Sequence, residues 1–347
     1  MKKLLLYVCI GCFVNSNAQV EAGIDTSTKG ATSKKIEDYS DLLLVRTMLV
    51  GKSNSLSIHN KNTNNKIKLE PLGITSFGVG FNHKWLGLGV GFGLPPSAAD
   101  VEKYGRTKRF DLQVNVYANS FVIDGFAQRY RGYHLSNPND FVNWDKDYFP
   151  KLRSMDASTI SLGGLYVFNH KRFSYKAAFV RNAVQKKSAG SILLGAYYSY
   201  NFAGVRHDSA ASFIPNFFPT EVKDSFNLRS FSANSAGISF GYTYTLVLRK
   251  FFINLSLIPS IGIRRIVAIN QNKQIGTDSG AAGRVITRMA FGYEHPKFIL
   301  GLTGFTSTGS LDFKHYQIKP STSNVKFFIA KRFDVSNWYS KRKSNDE

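Results

Sequence analysis

The feature that most constrains this chain is the alternation across residues 109–130, RFDLQVNVYANSFVIDGFAQRY. Phe110, Leu112, Val114, Val116 and Ala118 alternate with Arg109, Asp111, Gln113, Asn115 and Tyr117. After a turn at Asn119-Ser120, Phe121, Ile123, Gly125 and Ala127 alternate with Val122, Asp124, Phe126 and Gln128. A period of two puts one set of side chains on each face of a strand. Soluble sandwich strands usually run about 5–6 residues. Repeated strands of roughly 9–11 residues, oily on one face and polar on the other, suit an antiparallel transmembrane β-barrel.

The same pattern recurs along the chain. Residues 41–49 read as a first strand and 55–69 as a small hairpin tipped by Asn60-Lys61-Asn62-Thr63-Asn64-Asn65. Residues 74–94 form a hairpin in which Phe77, Val79, Phe81, Leu88, Val90 and Phe92 face one way. Gly78, Gly80, Gly87, Gly89, Gly91 and Gly93 face the other. That glycine patch is either a place where bulky neighbours fill the space or a groove for a ligand or plug. The run GLGVGFG is not read as a nucleotide loop, because no phosphate-cradling helix follows it.

Further outward rows are Ile160, Leu162, Tyr166 and Phe168; Phe173, Tyr175, Ala177 and Phe179; Ile192, Leu194, Ala196, Tyr198 and Tyr200. They continue with Ile238, Phe240, Tyr242, Tyr244, Leu246 and Leu248; Phe251, Ile253, Leu255 and Leu257; and Val325, Phe327, Ile329 and Phe333. Trp85, Tyr198, Tyr200 and Tyr244 suit aromatic girdles. Residues 131–157 and 203–234 read as long loops. The expected barrel has about 12 strands (range 12–16), with short and long connections alternating except for a slip of phase near residues 203–234.

The N-terminus reads as a secretory signal over residues 1–18: Lys2 and Lys3, an apolar core, and a small-residue cleavage site at Ser16-Asn17-Ala18. A lipid attached at Cys12 and an N-terminal core element are the other readings. Cys9 and Cys12 are the only cysteines, so a chain cleaved after residue 18 has neither disulfide nor thiolate chemistry. Residues 19–40 read as a flexible linker, 41–333 as the barrel and 334–347 as a polar tail. With a signal, a barrel pattern and no apolar run of helix-spanning length, the expected location is the outer membrane of a Gram-negative envelope. The formal charge of +22 then points to lipid or lipopolysaccharide phosphates, or to anions in the lumen, rather than to nucleic acid. A last strand closing on Phe333 is the kind of end that barrel assembly machinery reads, although Lys331 interrupts its outward row.

KYGRTKRFDLQ (103–113), GFAQRYRGYHL (125–135), FSYKAAF (173–179), QKKSAGSILLG (185–195) and GYTYTLVLRKFF (241–252) together resemble the domain of unknown function family 4421, exported proteins of Bacteroidetes-type bacteria. The resemblance runs from about residue 41 to 333. It implies an outer-membrane barrel and a place in the cell envelope. It implies no activity, cofactor or catalytic residue.

Inward parity gathers Arg109, Asp111, Gln113, Asn115, Asp124 and Gln128, with Lys176, Arg284 and Arg288 farther along. Such a set is either a polar lumen that satisfies itself or a constriction attracting anions. Ser188 and Ser191 beside Lys186 and Lys187, and the contiguous His207-Asp208-Ser209, offer residue types of a hydrolase without its geometry. The histidines show no metal-ligand spacing, and no cofactor is expected. Three functions remain open: a narrow channel or transporter for small anionic or lipidic solutes, a barrel enzyme acting on envelope lipids, and a structural or surface-binding barrel.

Overall fold

The computed structural model describes residues 16–22, 35–84, 86–205, 212–295 and 297–335. Most of the expected signal segment, with Cys9 and Cys12, lies outside these residues, as do Trp85, His207-Asp208-Ser209 and most of the C-terminal tail.

In chain order the strands are β1 (Ser16–Ala22), β2 (Ile36–Asp38), β3 (Leu43–Asn60), β4 (Lys66–Pro71), β5 (Ile74–His83) and β6 (Leu86–Gly93). Helix α1 (Ala98–Tyr104) leads to β7 (Lys108–Tyr117), β8 (Phe121–Leu135), β9 (Lys151–Val167), β10 (Ala183–Gln185) and β11 (Ala189–Val205). Helix α2 (Thr220–Ser225) precedes β12 (Ser230–Leu248), β13 (Phe251–Ile269), β14 (Ile275–Glu294), β15 (Ile299–Phe313) and β16 (Tyr316–Phe333).

Neighbours along the wall pair antiparallel except β1 with β7, and the wall closes where β16 meets β3, from Tyr316↔Asn60 to Phe333↔Leu43. Closure leaves no free sheet edge along this seam. Through β4 the ring is a closed ten-strand barrel. The end carrying the β3–β4 turn, α1 and α2 is called upper here, and the end where β16 finishes is called lower. Toward the lower end β3 exchanges β4 for β5, and β8 exchanges β4 for β7. The bulge between Arg131 and Tyr133 marks the exchange on β8. Gly132 sits there with φ of +89°, and a Cβ would lie 2.3 Å from the Arg106 carbonyl oxygen, so the bend requires glycine.

The outward rows face the surroundings. Phe77, Val79, Phe92, Ile160, Leu162, Ile238, Phe240, Leu255 and Phe327 are all exposed. A continuous apolar belt of this extent is far beyond what an ordinary soluble surface shows, and it fits lipid. No helix among the described residues is long and apolar enough to cross a membrane.

Two expectations are corrected. Residues 173–179 are not a wall strand: Lys176–Val180 form a π-helical turn inside the lower end, and β10 follows it. Phe173, Tyr175, Lys176, Ala177, Ala178 and Val180 are all buried, so neither face meets lipid. A short apolar run has no unique period, which is why it read as a strand. Removing this strand also removes the apparent slip of phase: lower connections are short except for residues 168–188, and the longest ones lie at the upper end.

Residues 19–40, expected as a linker, contain two pairings. β1, whose first residues are the expected cleavage site, runs between β6 and β7, antiparallel to the first and parallel to the second. β2 pairs with β10 across the lower end. Backbone pairing needs no alternation of side chains, so neither segment carries a strand pattern in the sequence.

Candidate functional site

The inward rows of the belt meet in a polar interior. On β7 and β8, Asp111 and Gln128 face β3 across the barrel. Lys52 Nζ donates to Asp111 Oδ1 at 2.8 Å, with both side chains almost wholly buried. Gln128 Nε2 and Tyr130 OH donate to the other carboxylate oxygen at 2.7 and 3.1 Å. Thr322 Oγ1 donates to Gln128 Oε1 at 3.0 Å, and Asn54 Nδ2 does so at 3.2 Å. Every oxygen of Asp111 thus has a donor, as a buried carboxylate requires.

A second group lies lower. The Arg288 guanidinium pairs with Asp124 and lies over the rings of Phe305 and Tyr175, at 5.5 and 5.9 Å. Tyr175 comes from the inserted turn, and its hydroxyl donates to Ser256 Oγ at 3.0 Å. Ser256, Thr243, Asn254 and Thr245 continue a hydroxyl and amide network on β12 and β13. Beside it a cavity of about 50 Å³ is lined by Gln113, Asn115, Asp124, Arg288, Asn324 and Lys326 among others.

Arg284 stands on β14 between hydroxyls: Nε donates to Ser307 Oγ at 3.0 Å and Nη1 to Ser161 Oγ at 3.3 Å. Arg109 lies nearer the edge of the glycine-rich hairpin, donating to the Ile74 carbonyl and to Ser76 Oγ. Lys176 is buried on the inserted turn rather than on the wall. Neighbours meet three of the patch's glycines: an added Cβ at Gly78 would meet Met48, at Gly80 both Met48 and Arg46, and at Gly93 the Arg109 guanidinium. A small cavity of about 20 Å³ lies against Gly78, Gly89 and Gly91.

Both ends are stopped. At the upper end residues 212–228 turn inward, and Phe213, Ile214, Phe218, Phe226 and Leu228 pack against Ile58, Leu69, Tyr133, Leu152, Ile266 and Ile318. At the lower end the inserted turn sets Phe173, Tyr175 and Val180 against Val122, Leu165, Leu193 and Ile258. Arg181, in the left-handed region with φ of 71°, lies 4.3 Å over the Phe252 ring and pairs with Glu294. Glu294 also holds Arg332, whose Nη2 donates to the Arg181 carbonyl at 2.8 Å. At the rim Lys186 donates to Glu37 and holds its carboxyl below the usual range.

Lys52, Asn54, Glu294, Arg181 and Arg332 were not singled out from sequence. Lys52 and Asn54 could have been, because the inward parity of Leu44, Arg46, Met48 and Val50 continues through them to Ile58. The hydroxyls considered for hydrolysis bond to main chain: Ser188 Oγ accepts from Val247 N at 2.9 Å, and Ser191 Oγ donates to Ile192 O at 2.8 Å. His170 Nδ1 lies 3.2 Å from the Val167 carbonyl. Among the described residues no three His, Cys, Asp or Glu side chains gather as a metal-binding set.

A family model described as domain of unknown function (DUF4421) matches residues 33–333. No curated protein matches the sequence. Among solved structures the chain is similar to the outer membrane protease OmpT of Escherichia coli (7% identity, TM-score 0.38, 87% of this chain and 100% of that chain). It is also similar to the translocator domain of the autotransporter NalP from Neisseria meningitidis (7%, 0.32, 83% and 88%). A third is the Pseudomonas putida toluene transporter TodX (6%, 0.23, 84% and 89%). Similarities this low carry nothing about activity.

Proposed function

This chain belongs to the DUF4421 family, and on that premise we propose that it is an outer-membrane β-barrel enclosing a gated, anion-selective path, shut at both ends in the conformation described. The observation that carries the reading is the charge of the interior. Lys52, Arg109, Arg284 and Arg288 point inward against Asp111 and Asp124. Linings of Arg and Lys favour anions, and an excess of buried cations is costly unless it serves something.

The two closures differ in kind. The upper one is a packed apolar core in which residues 212–228 bury Phe213, Ile214, Phe218, Phe226 and Leu228 among wall residues. The lower one is a single connection, residues 168–188, fastened through Glu294 and by the β2–β10 pairing. The upper segment is set in the larger apolar cluster, and the lower one can swing away without breaking a wall ladder, so the lower end is the gate. The apolar belt, the signal expected from sequence and the short lower turns support an outer-membrane location with the lower end in the periplasm. Lipid and lipopolysaccharide then surround the belt, and the barrel assembly machinery would receive β16.

Single-channel conductance in planar bilayers, with reversal potentials under a salt gradient, tests the reading. The whole chain should be closed most of the time. Replacing Phe173 through Gln185 by a short Gly-Ser linker should give stable anion-selective steps, and Arg284→Gln should weaken that selectivity. Continued silence without the insertion, or cation selectivity, overturns it.

A further inference from the structure

The interior charges are mostly neutralised in place, Lys52 by Asp111 and Arg288 by Asp124. Arg284 is not. Only 7% exposed, it contacts two serine hydroxyls and lies 4.9 Å from the Tyr197 ring centre. Among the described residues none of its contacts is a carboxylate. Removing a lone guanidinium from water is expensive, and hydroxyls supply no counter-charge.

Beside it lies a cavity of about 30 Å³, lined by residues of seven strands and by no Asp or Glu. By this kind of measure one water needs roughly 10–15 Å³, so an ion somewhat larger than water fits. The lining also has donors to spare. Ser307 Oγ already accepts from Arg284 Nε, and Ser199 Oγ accepts from Asn201 Nδ2 at 3.1 Å. Both serines are buried, and a hydroxyl that has accepted still holds a hydrogen to give. Arg284 Nη2 has no protein acceptor among the described residues. The cavity therefore offers three donor groups and a positive charge with no carboxylate in contact.

We propose that this cavity is a binding site for one small monovalent anion of chloride size, held by Arg284 with Ser199 and Ser307. The ion replaces the missing carboxylate and satisfies the spare donors together. The site stands whether or not ions cross the barrel, since a resident counter-ion needs no open path.

The test is thermal unfolding of the full chain in detergent, in sodium chloride and in sodium gluconate at equal ionic strength. Gluconate is too large for the cavity. Chloride at about a hundred times its Kd should raise Tm by about 5 °C, and the shift should grow with the logarithm of its concentration. Arg284→Gln should abolish the difference, and Ser307→Ala, which keeps the charge, should weaken the apparent affinity several-fold. Crystals soaked in bromide should show an anomalous peak in contact with the guanidinium. Equal Tm in both salts with no bromide peak in the cavity overturns the proposal. So does a chloride effect that survives Arg284→Gln, because it would then arise at the surface. If Arg284→Gln does not fold, Ser307→Ala and the bromide position decide.

Discussion

On β13 the belt and the crown above it meet within a few residues. Ile261 and Ile263 are 70% and 75% exposed while Ser256 and Ser260 point inward and are buried. Two residues farther up, Arg265 points outward and Ile266 inward at 0% exposure. β3 makes the same exchange: Lys52 and Asn54 are inward, then Leu56 and Ile58. At the level of Lys52 and Ser256 the belt is polar inside and apolar outside, and the crown is a soluble protein's arrangement on the same strands. Alternation says that a segment is a strand. The sense of the alternation says which solvent lies on each side. The exchange therefore places the upper surface of the membrane on the wall.

Breaking the belt's interior should cost most. Asp111→Asn leaves Lys52 buried without its partner and should destabilise the barrel by about 3–5 kcal/mol in urea titration. Lys52→Met added to Asp111→Asn should recover most of the loss. A single-variant loss under about 1 kcal/mol would mean that water reaches Lys52 inside the belt.

The outer faces give the next effect. Leu255→Arg on the belt puts a charge into hydrocarbon and should cost about 2–4 kcal/mol near the midplane. Thr277→Arg, also outward but on the crown, should stay within about 0.5 kcal/mol. Equal costs at the two positions would erase the boundary between belt and crown.

The crown's packing can be read by pH. His134 lies at the top of β8 between the rings of Tyr104 and Phe149, at 5.1 and 5.3 Å. Glu70 and Lys151 are its partners on the flanking strands. Burial pushes its imidazole down to about 4, against about 6.5 in the unfolded chain. Between these values the unfolded chain binds the extra proton, so stability is full above about pH 6.5 and falls as pH drops toward 4. The expected loss is about 2 kcal/mol between pH 7 and 5. His134→Phe should remove that part of the slope, and an unchanged slope would show that the imidazole is not sealed in the crown.

The belt was legible in sequence and most of the crown was not, for one reason. In the belt the two faces differ sharply, so β12 from Ile238 to Leu248 could be read residue by residue. Across Gly132 the bulge shifts the inward parity on β8 from Gln128 and Tyr130 to Tyr133 and Leu135, and a strict period of two fails there. Residues 131–157 and 203–234 consequently read as loops, although β8, β9, β11 and β12 all run into them. The candidate site was legible by face and not by contact. Arg288 and Asp124 were both read as inward, but their pairing spans 164 positions and depends on barrel closure, which no local pattern encodes.

The smallest expected effect compares two pairs of the same geometry. Lys61 Nζ donates to Asp312 Oδ1 at 2.7 Å on the crown's surface, and Lys52 to Asp111 at 2.8 Å inside the belt. Both crown side chains are nearly half exposed, at 46% and 48%. Water there screens the attraction and solvates either partner once the other is gone. Asp312→Asn should therefore cost at most about 1 kcal/mol, and that small term should vanish in 1 M salt, where the screening length is about 3 Å. The Lys52–Asp111 pair, out of reach of counter-ions, should keep its full effect at the same salt. If high salt weakens both pairs alike, the interior is open to electrolyte, and the seal formed by residues 168–188 and 212–228 is incomplete.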